Sequence, residues 1–164
     1  MRSFLFFALY GLIATALQNT WLSGDFFFGV HINLLLPVVL FAGLNMQWSR
    51  AIPILIFLGL LTDLSTHSPL GISSFTYCII YSFITLMSSF ITIDTFVSRF
   101  VWLAVVSFMD KFFRGLFLYL LRGDEKWFAF VFKNAPFQAI ADALLGVFIV
   151  GLFIKLSSSL EEAN

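Results

Sequence analysis

Charged residues are scarce in this chain. They make up 11% of its 164 residues, whereas about 25% is usual for a soluble domain. Hydrophobic residues account for 60%, above the roughly 45–50% of soluble proteins. So few polar side chains cannot cover a water-facing surface of this size. The composition excludes an ordinary soluble globule and favours helices in lipid, where each backbone N–H and C=O is hydrogen-bonded within its own segment.

Cysteine, excess basic charge and catalytic motifs are also lacking. Cys78 is the single cysteine, so an intrachain disulfide is excluded, and no Cys/His spacing suggests zinc. Nine basic residues balance nine acidic ones, which leaves no basic surface for nucleic acid. The sequence has no Gly-rich phosphate loop and no nucleophile beside a base. We expect no cofactor, no bound metal, no nucleic-acid partner and no enzymatic activity.

Long apolar runs are what the chain has in abundance. A helix needs about 20 mainly apolar residues to cross a hydrocarbon core of ~30 Å. The sequence predicts six transmembrane spans, at 3–21, 32–48, 51–64, 70–93, 100–121 and 135–154, and an interfacial segment at 127–132. We therefore predict an all-α integral membrane protein, with residues 1–164 forming a single transmembrane domain and no soluble domain.

The positions of Lys and Arg in the short loops predict the orientation, because cytoplasmic loops are enriched in both. With a cytoplasmic N-terminus, the inner side holds four basic residues, Arg2, Arg50, Arg99 and Lys155. The first two outer loops then hold neither Lys nor Arg. The third is an exception, with Arg122, Lys126 and Lys133. The distribution favours a multi-pass protein with both termini in the cytoplasm.

Five ionisable residues lie inside the predicted spans: Asp63, Asp110, Lys111, Arg114 and Asp142. A charge at the bilayer centre costs at least about 2.5–3.5 kcal/mol on insertion scales. Helical rise brings the charges of the third, fifth and sixth spans to one depth in the outer half of the membrane. Asp110 and Arg114 are also spaced to pair along one helix face. We predict an ion-pair network joining these three helices, which fixes packing or docks a partner, or else forms a proton relay or substrate site.

One segment resembles a known family signature. Residues 59–71 read GLLTDLSTHSPLG. An apolar helix ends in Asp63-Leu64, a break of small residues follows, and Pro69-Leu70-Gly71 opens the next helix. This pattern resembles the signature of the rod shape-determining protein MreD family.

Other motifs agree with that family in order. Residues 17–18, Leu-Gln, resemble its Leu-Gln at the close of the first helix. Residues 32–36, Ile-Asn-Leu-Leu-Leu, resemble its Pro-Asp/Asn-Leu-Leu-Leu start of the second helix, although Ile32 replaces the usual Pro. Residues 141–144, Ala-Asp-Ala-Leu, resemble a late motif in which Asn is common, so Asp142 is a departure. Length and span count match over essentially the whole chain.

The resemblance implies a membrane scaffold of the bacterial cell-elongation (rod) complex in the cytoplasmic (inner) membrane. Such a protein binds the single-pass protein MreC. Through MreC it helps couple the actin-like MreB to lateral peptidoglycan synthesis by RodA and a penicillin-binding transpeptidase, which maintains cell shape. Besides the lipid bilayer, a second copy in a homodimer is a further candidate partner. The motif residues implied to bind partners or support the fold are Gln18, Asn33, Asp63, Pro69, Leu70 and Gly71.

An alternative function follows from a second resemblance. In the number of helices and in size, MreD-like proteins resemble the substrate-binding S-components of energy-coupling-factor transporters, which implies an S-component-like helical bundle. Under the transport alternative, the charges in the outer half would line a small-molecule pocket, and the chain would work with an ATPase partner.

Overall fold

The computed structural model describes residues 2–20, 33–66, 69–88, 90, 95–122 and 125–161. These residues form helices and short connections without a strand. The helices are α1 (Arg2–Thr20), α2 (Leu36–Asn45), α3 (Trp48–Thr66), α4 (Ile72–Met87), α5 (Phe96–Arg122) and α6 (Glu125–Glu161). Over the described residues, the prediction of an all-α protein is confirmed.

The second apolar run is helical over a much shorter stretch than 32–48. Residues 33–35 form a turn, α2 starts with Pro37 in its first turn, and Met46 is extended. Proline fits a first turn because its missing N–H has no helical partner there anyway. Trp48 begins α3 instead of ending the second run. At ten residues, α2 is about 15 Å long, half of a hydrocarbon core.

The last two predicted segments, 127–132 and 135–154, belong to one helix. α6 is 37 residues long and continues through Pro136. The predicted span 135–154 therefore does not begin a helix of its own. At 1.5 Å per residue the helix spans about 55 Å, which exceeds a hydrocarbon core. The interfacial position of 127–132 stays a prediction.

The helices pack around α2. Residues Leu36 to Gly43 are all buried, and α2 lies against α4, α5 and α6. α5 and α6 pack together extensively, α3 and α4 form a second close pair, and α1 packs mainly on α3. The α3–α4 pair is tightest at Gly59, where a Cβ would stand 2.3 Å from the Cα of Ser74.

Two stretches, Trp48–Thr66 and Ala135–Phe153, are long and apolar enough by themselves to cross a membrane. α2 and α4 are shorter than a full span, and α5 carries several charged residues along its length. The outer surface of the described helices is nonetheless strongly apolar. Leu64, Leu86 and Phe148, for example, are 62%, 73% and 71% exposed.

Candidate functional site: a buried polar cluster

Asp110 of α5 is the centre of a group of buried polar side chains. Its carboxylate is fully buried and pairs with two cations of the same helix, the adjacent Lys111 and Arg114 of the next turn. Arg114 Nε donates to Asp110 Oδ1 at 2.9 Å, and Lys111 Nζ lies 3.5 Å from Asp110 Oδ2. The i, i+4 spacing that predicted the Asp110–Arg114 pair places both groups on one face of α5.

Lys111 extends this group to α6. Its Nζ lies 3.4 Å from Asp142 Oδ2, so one ammonium bridges carboxylates of two helices. Ser107 Oγ, one turn before Lys111 on α5, donates to the same Asp142 oxygen at 2.5 Å. The two helices are thereby joined by a charge pair and a hydrogen bond at one level.

Asn33 ties the start of α2 to both carboxylates. Its backbone N–H donates to Asp142 Oδ1 at 2.7 Å, and its Nδ2 lies 3.4 Å from Asp110 Oδ2. Its Oδ1 accepts from the N–H of Leu35 at 3.1 Å and from Gln18 Nε2 of α1 at 3.5 Å. This one residue therefore sets the turn before α2 and links it to α1, α5 and α6.

Tyr77 of α4 completes the cluster. Its hydroxyl accepts from Asn33 Nδ2 and from Arg114 Nη2, both at 3.1 Å, and lies 3.3 Å from Thr62 Oγ1 of α3. The Arg114 guanidinium carbon also lies 5.6 Å from the centroid of the Tyr77 ring, within cation–π range. We call Asn33, Tyr77, Ser107, Asp110, Lys111, Arg114 and Asp142 the polar cluster.

Sequence reasoning missed Tyr77 and Ser107. A usable signal for Tyr77 exists, since a tyrosine in an apolar run needs a partner for its hydroxyl when it is buried. Ser107 had no comparable signal. A serine in a helix usually bonds to its own backbone, and only the fold shows that Asp142 stands opposite.

Asp63 is separate from these ion pairs, contrary to the predicted three-helix network. It is fully buried near the end of α3, and its carboxylate accepts from the N–H groups of Gly71 at 2.7 Å and Ser73 at 3.1 Å. It therefore caps the start of α4, where a negative charge is favoured. Within the described residues, α3 reaches the polar cluster through Thr62, and Asp63 attracts Arg114 only at longer range.

The turn residues of the motif have different surroundings. Pro69 is half-buried, and its carbonyl accepts from the N–H of Ile72 at 3.4 Å. Leu70 is 68% exposed. The backbone φ angle of Gly71 is 100°, a value that residues with a Cβ rarely adopt, so glycine suits this turn. Of the predicted motif, Asp63 and Gly71 are in direct contact, and Gln18 contacts Asn33.

The charges of the site balance in two groups. In the polar cluster, the carboxylates of Asp110 and Asp142 face the cations of Lys111 and Arg114. The charge of Asp63 faces the first N–H groups of α4. In the described part of the chain, Ser73 Oγ is the one buried side-chain oxygen or nitrogen without a hydrogen-bond partner. The arrangement is that of a satisfied network that pins helices together.

The Asp63 cap allows a direct test. Asp63→Ala is expected to lower the free energy of unfolding by about 2 kcal/mol, because two N–H groups of α4 lose their acceptor. Asp63→Asn keeps one acceptor oxygen and is expected to cost about half as much. Denaturant titration of the purified protein in detergent measures both. Equal stability of the alanine variant and the parent protein would contradict the capping role.

No family model, curated protein or solved structure matches this chain.

Proposed function

We propose that this protein is a six-span integral protein of the bacterial inner membrane with both termini in the cytoplasm. The distribution of side chains supports membrane insertion. Asp63 and Asp110 are fully buried, whereas leucine and phenylalanine side chains such as Leu86 and Phe148 point outward. This is the inverse of a soluble protein, in which large exposed apolar surface is rare. In lipid, apolar side chains are free to face outward and charges pair inside.

Within that membrane, we propose the role of a non-enzymatic MreD-like scaffold that binds an MreC-like single-pass protein and helps couple MreB to wall synthesis. The observation that carries this proposal is that the motif residues converge. Gln18 contacts Asn33, Asn33 contacts Asp142, and Asp63 holds Gly71. Motifs far apart in the sequence thus support neighbouring parts of one bundle. Their agreement with the family's motifs in order is what links this bundle to that role.

The charge balance favours a scaffold over a transporter. A relay or substrate site needs a group that gains or loses a charge or contact during the cycle. In the polar cluster each carboxylate is already paired with a cation and hydrogen-bonded. Such a network fixes the relative positions of α2, α4, α5 and α6, and a rigid bundle suits a protein that presents its surface to a partner.

Co-purification with the MreC-like protein of the same organism tests the scaffold role. The two chains are co-expressed, and the tagged chain is extracted in mild detergent and captured. We expect the MreC-like protein to be retained in a stable ratio. The turn at Leu70 faces the periplasm in the proposed topology, where the partner's soluble domain lies. Leu70→Ser is therefore expected to lower capture several-fold.

Leu86→Ser provides the matched control. Leu86 is 73% exposed, close to the 68% of Leu70, but lies at the opposite end of α4. It is expected to leave capture unchanged. Capture of an ATPase together with a tightly bound small molecule, and no MreC-like protein, would instead support the energy-coupling-factor alternative and overturn the scaffold proposal.

A further inference from the structure

The inner ends of α5 and α6 carry a second feature that the scaffold role does not use. Arg99, in the first turns of α5, crosses to α6, where its Nη1 lies 3.4 Å from the position that a Cβ would take on Gly151. Lys155 follows Gly151 by one helical turn on the same face of α6. The Arg99 guanidinium thereby lies beside α6 one helical turn before Lys155, at the proposed inner edge of the membrane.

Exposed apolar side chains stand beside these cations. Phe96 of α5 and Phe148 of α6 contact edge to face, with ring centroids 6.4 Å apart, and are 56% and 71% exposed. Leu152, which is 58% exposed, lies one turn from Phe148 toward Lys155. Positive charge and apolar surface are thus adjacent, a combination that fits an amphiphile with an anionic head and a hydrocarbon tail.

We propose that Arg99 and Lys155 bind the phosphate of an anionic phospholipid in the inner leaflet, with its acyl chains against Phe96, Phe148 and Leu152. The partner is a lipid because the cations mark the inner ends of the apolar stretches 100–121 and 135–154, at headgroup level. An arginine fork suits phosphate oxygens, and lysine adds a point charge. The inference rests on the membrane insertion proposed above, but not on the identity of the protein partner.

Lipid titration of the purified, delipidated full-length protein tests this site. Phosphatidylglycerol and phosphatidylcholine are added separately, and bound lipid is counted by native mass spectrometry. One basic residue near an anionic membrane surface strengthens binding about fivefold. The double variant Arg99→Gln/Lys155→Gln is therefore expected to bind phosphatidylglycerol about 30-fold more weakly. Its phosphatidylcholine binding is expected to stay unchanged.

Matched variants distinguish binding at this site from nonspecific attraction between basic residues and anionic lipid. Arg50→Gln/Lys133→Gln removes two charges from exposed positions elsewhere and is expected to keep phosphatidylglycerol binding within about twofold of the parent protein. Arg99→Lys keeps the charge and is expected to retain most of the binding. Equal binding of both lipids by the parent protein, or an equal loss in both double variants, would overturn the proposal.

Two further outcomes are informative. Displacement of phosphatidylglycerol by a soluble acidic peptide would assign the patch to a protein partner and reject the lipid. Failure of the lipid test leaves capture of the MreC-like protein unaffected, because that capture is measured at Leu70 and on a separate complex. Recovery of the protein from the soluble fraction of cells, by contrast, would reject the membrane proposal itself.

Discussion

Replacement of Asp110 by asparagine is expected to lower the free energy of unfolding by about 3 kcal/mol. The side chain keeps its shape but loses its charge. Arg114 then loses the negative charge 2.9 Å from its Nε, and Lys111 loses one of its two carboxylates. The polar cluster changes from neutral to a net charge of +1 inside the bundle. Removal of one partner of a buried pair is strongly destabilising because the remaining charge is left uncompensated. Denaturant titration in detergent measures the loss.

A second substitution tests whether charge balance is the cause. Asp110→Asn/Arg114→Met returns the cluster to neutrality and leaves the Lys111–Asp142 pair intact. We expect the double variant to recover more than half of the lost stability, because removal of both charges of the pair leaves no uncompensated charge inside the bundle. The contrary result is a loss of stability in the double variant equal to the sum of the losses in Asp110→Asn and Arg114→Met. The cluster would then stabilise the fold through individual hydrogen bonds, and the charge-balance account would be wrong.

Sequence reasoning located the ionisable residues that form the polar cluster but not all of their partners. The Asp110–Arg114 pair follows from helical spacing alone. Asp63 was expected to pair with a cation, because intramembrane charges are usually matched with side chains. It instead uses the N–H groups of Gly71 and Ser73. Backbone donors at a helix start have no signature in composition, so only the fold could identify them.

The helix boundaries show a similar limit. The run 32–48 is mostly apolar, and hydropathy cannot distinguish a full span from a short helix preceded by a turn. The turn at residues 33–35 is stabilised by Asn33, which accepts from the nearby N–H of Leu35 and donates its own N–H to Asp142, a residue distant in sequence. In the last segment, the predicted span begins at residue 135, yet α6 starts at Glu125 and continues through Pro136, as a helix can where neighbouring groups satisfy the freed backbone. In the first case the tertiary contacts of Asn33 delay the start of the helix.

Substitution of Gly59 by alanine is expected to destabilise the protein by about 3 kcal/mol, the upper end of the cost of overpacking. The new Cβ would stand 2.3 Å from the Cα and 2.4 Å from the backbone nitrogen of Ser74. Backbone atoms cannot move aside as the end of a flexible side chain can, so α3 and α4 would have to separate. Separation would also stretch the Asp63 bonds to Gly71 and Ser73. Thermal unfolding in detergent and the fraction recovered as a monodisperse species measure the effect.

Gly151→Ala is the matched control, because it makes the same chemical change in the interior of another helix. A Cβ on Gly151 would meet only the end of the Arg99 side chain, at 3.4 Å, which is ordinary contact distance. Alanine is favoured over glycine inside a helix by roughly 0.5–1 kcal/mol, so this variant is expected to be neutral or slightly more stable. If backbone contact between α3 and α4 is what requires Gly59, the stability changes of the two alanine variants have opposite signs. An equal loss of stability in both variants would mean that replacing glycine inside a helix is itself the cause. The close α3–α4 approach would then not be the reason for a glycine at position 59.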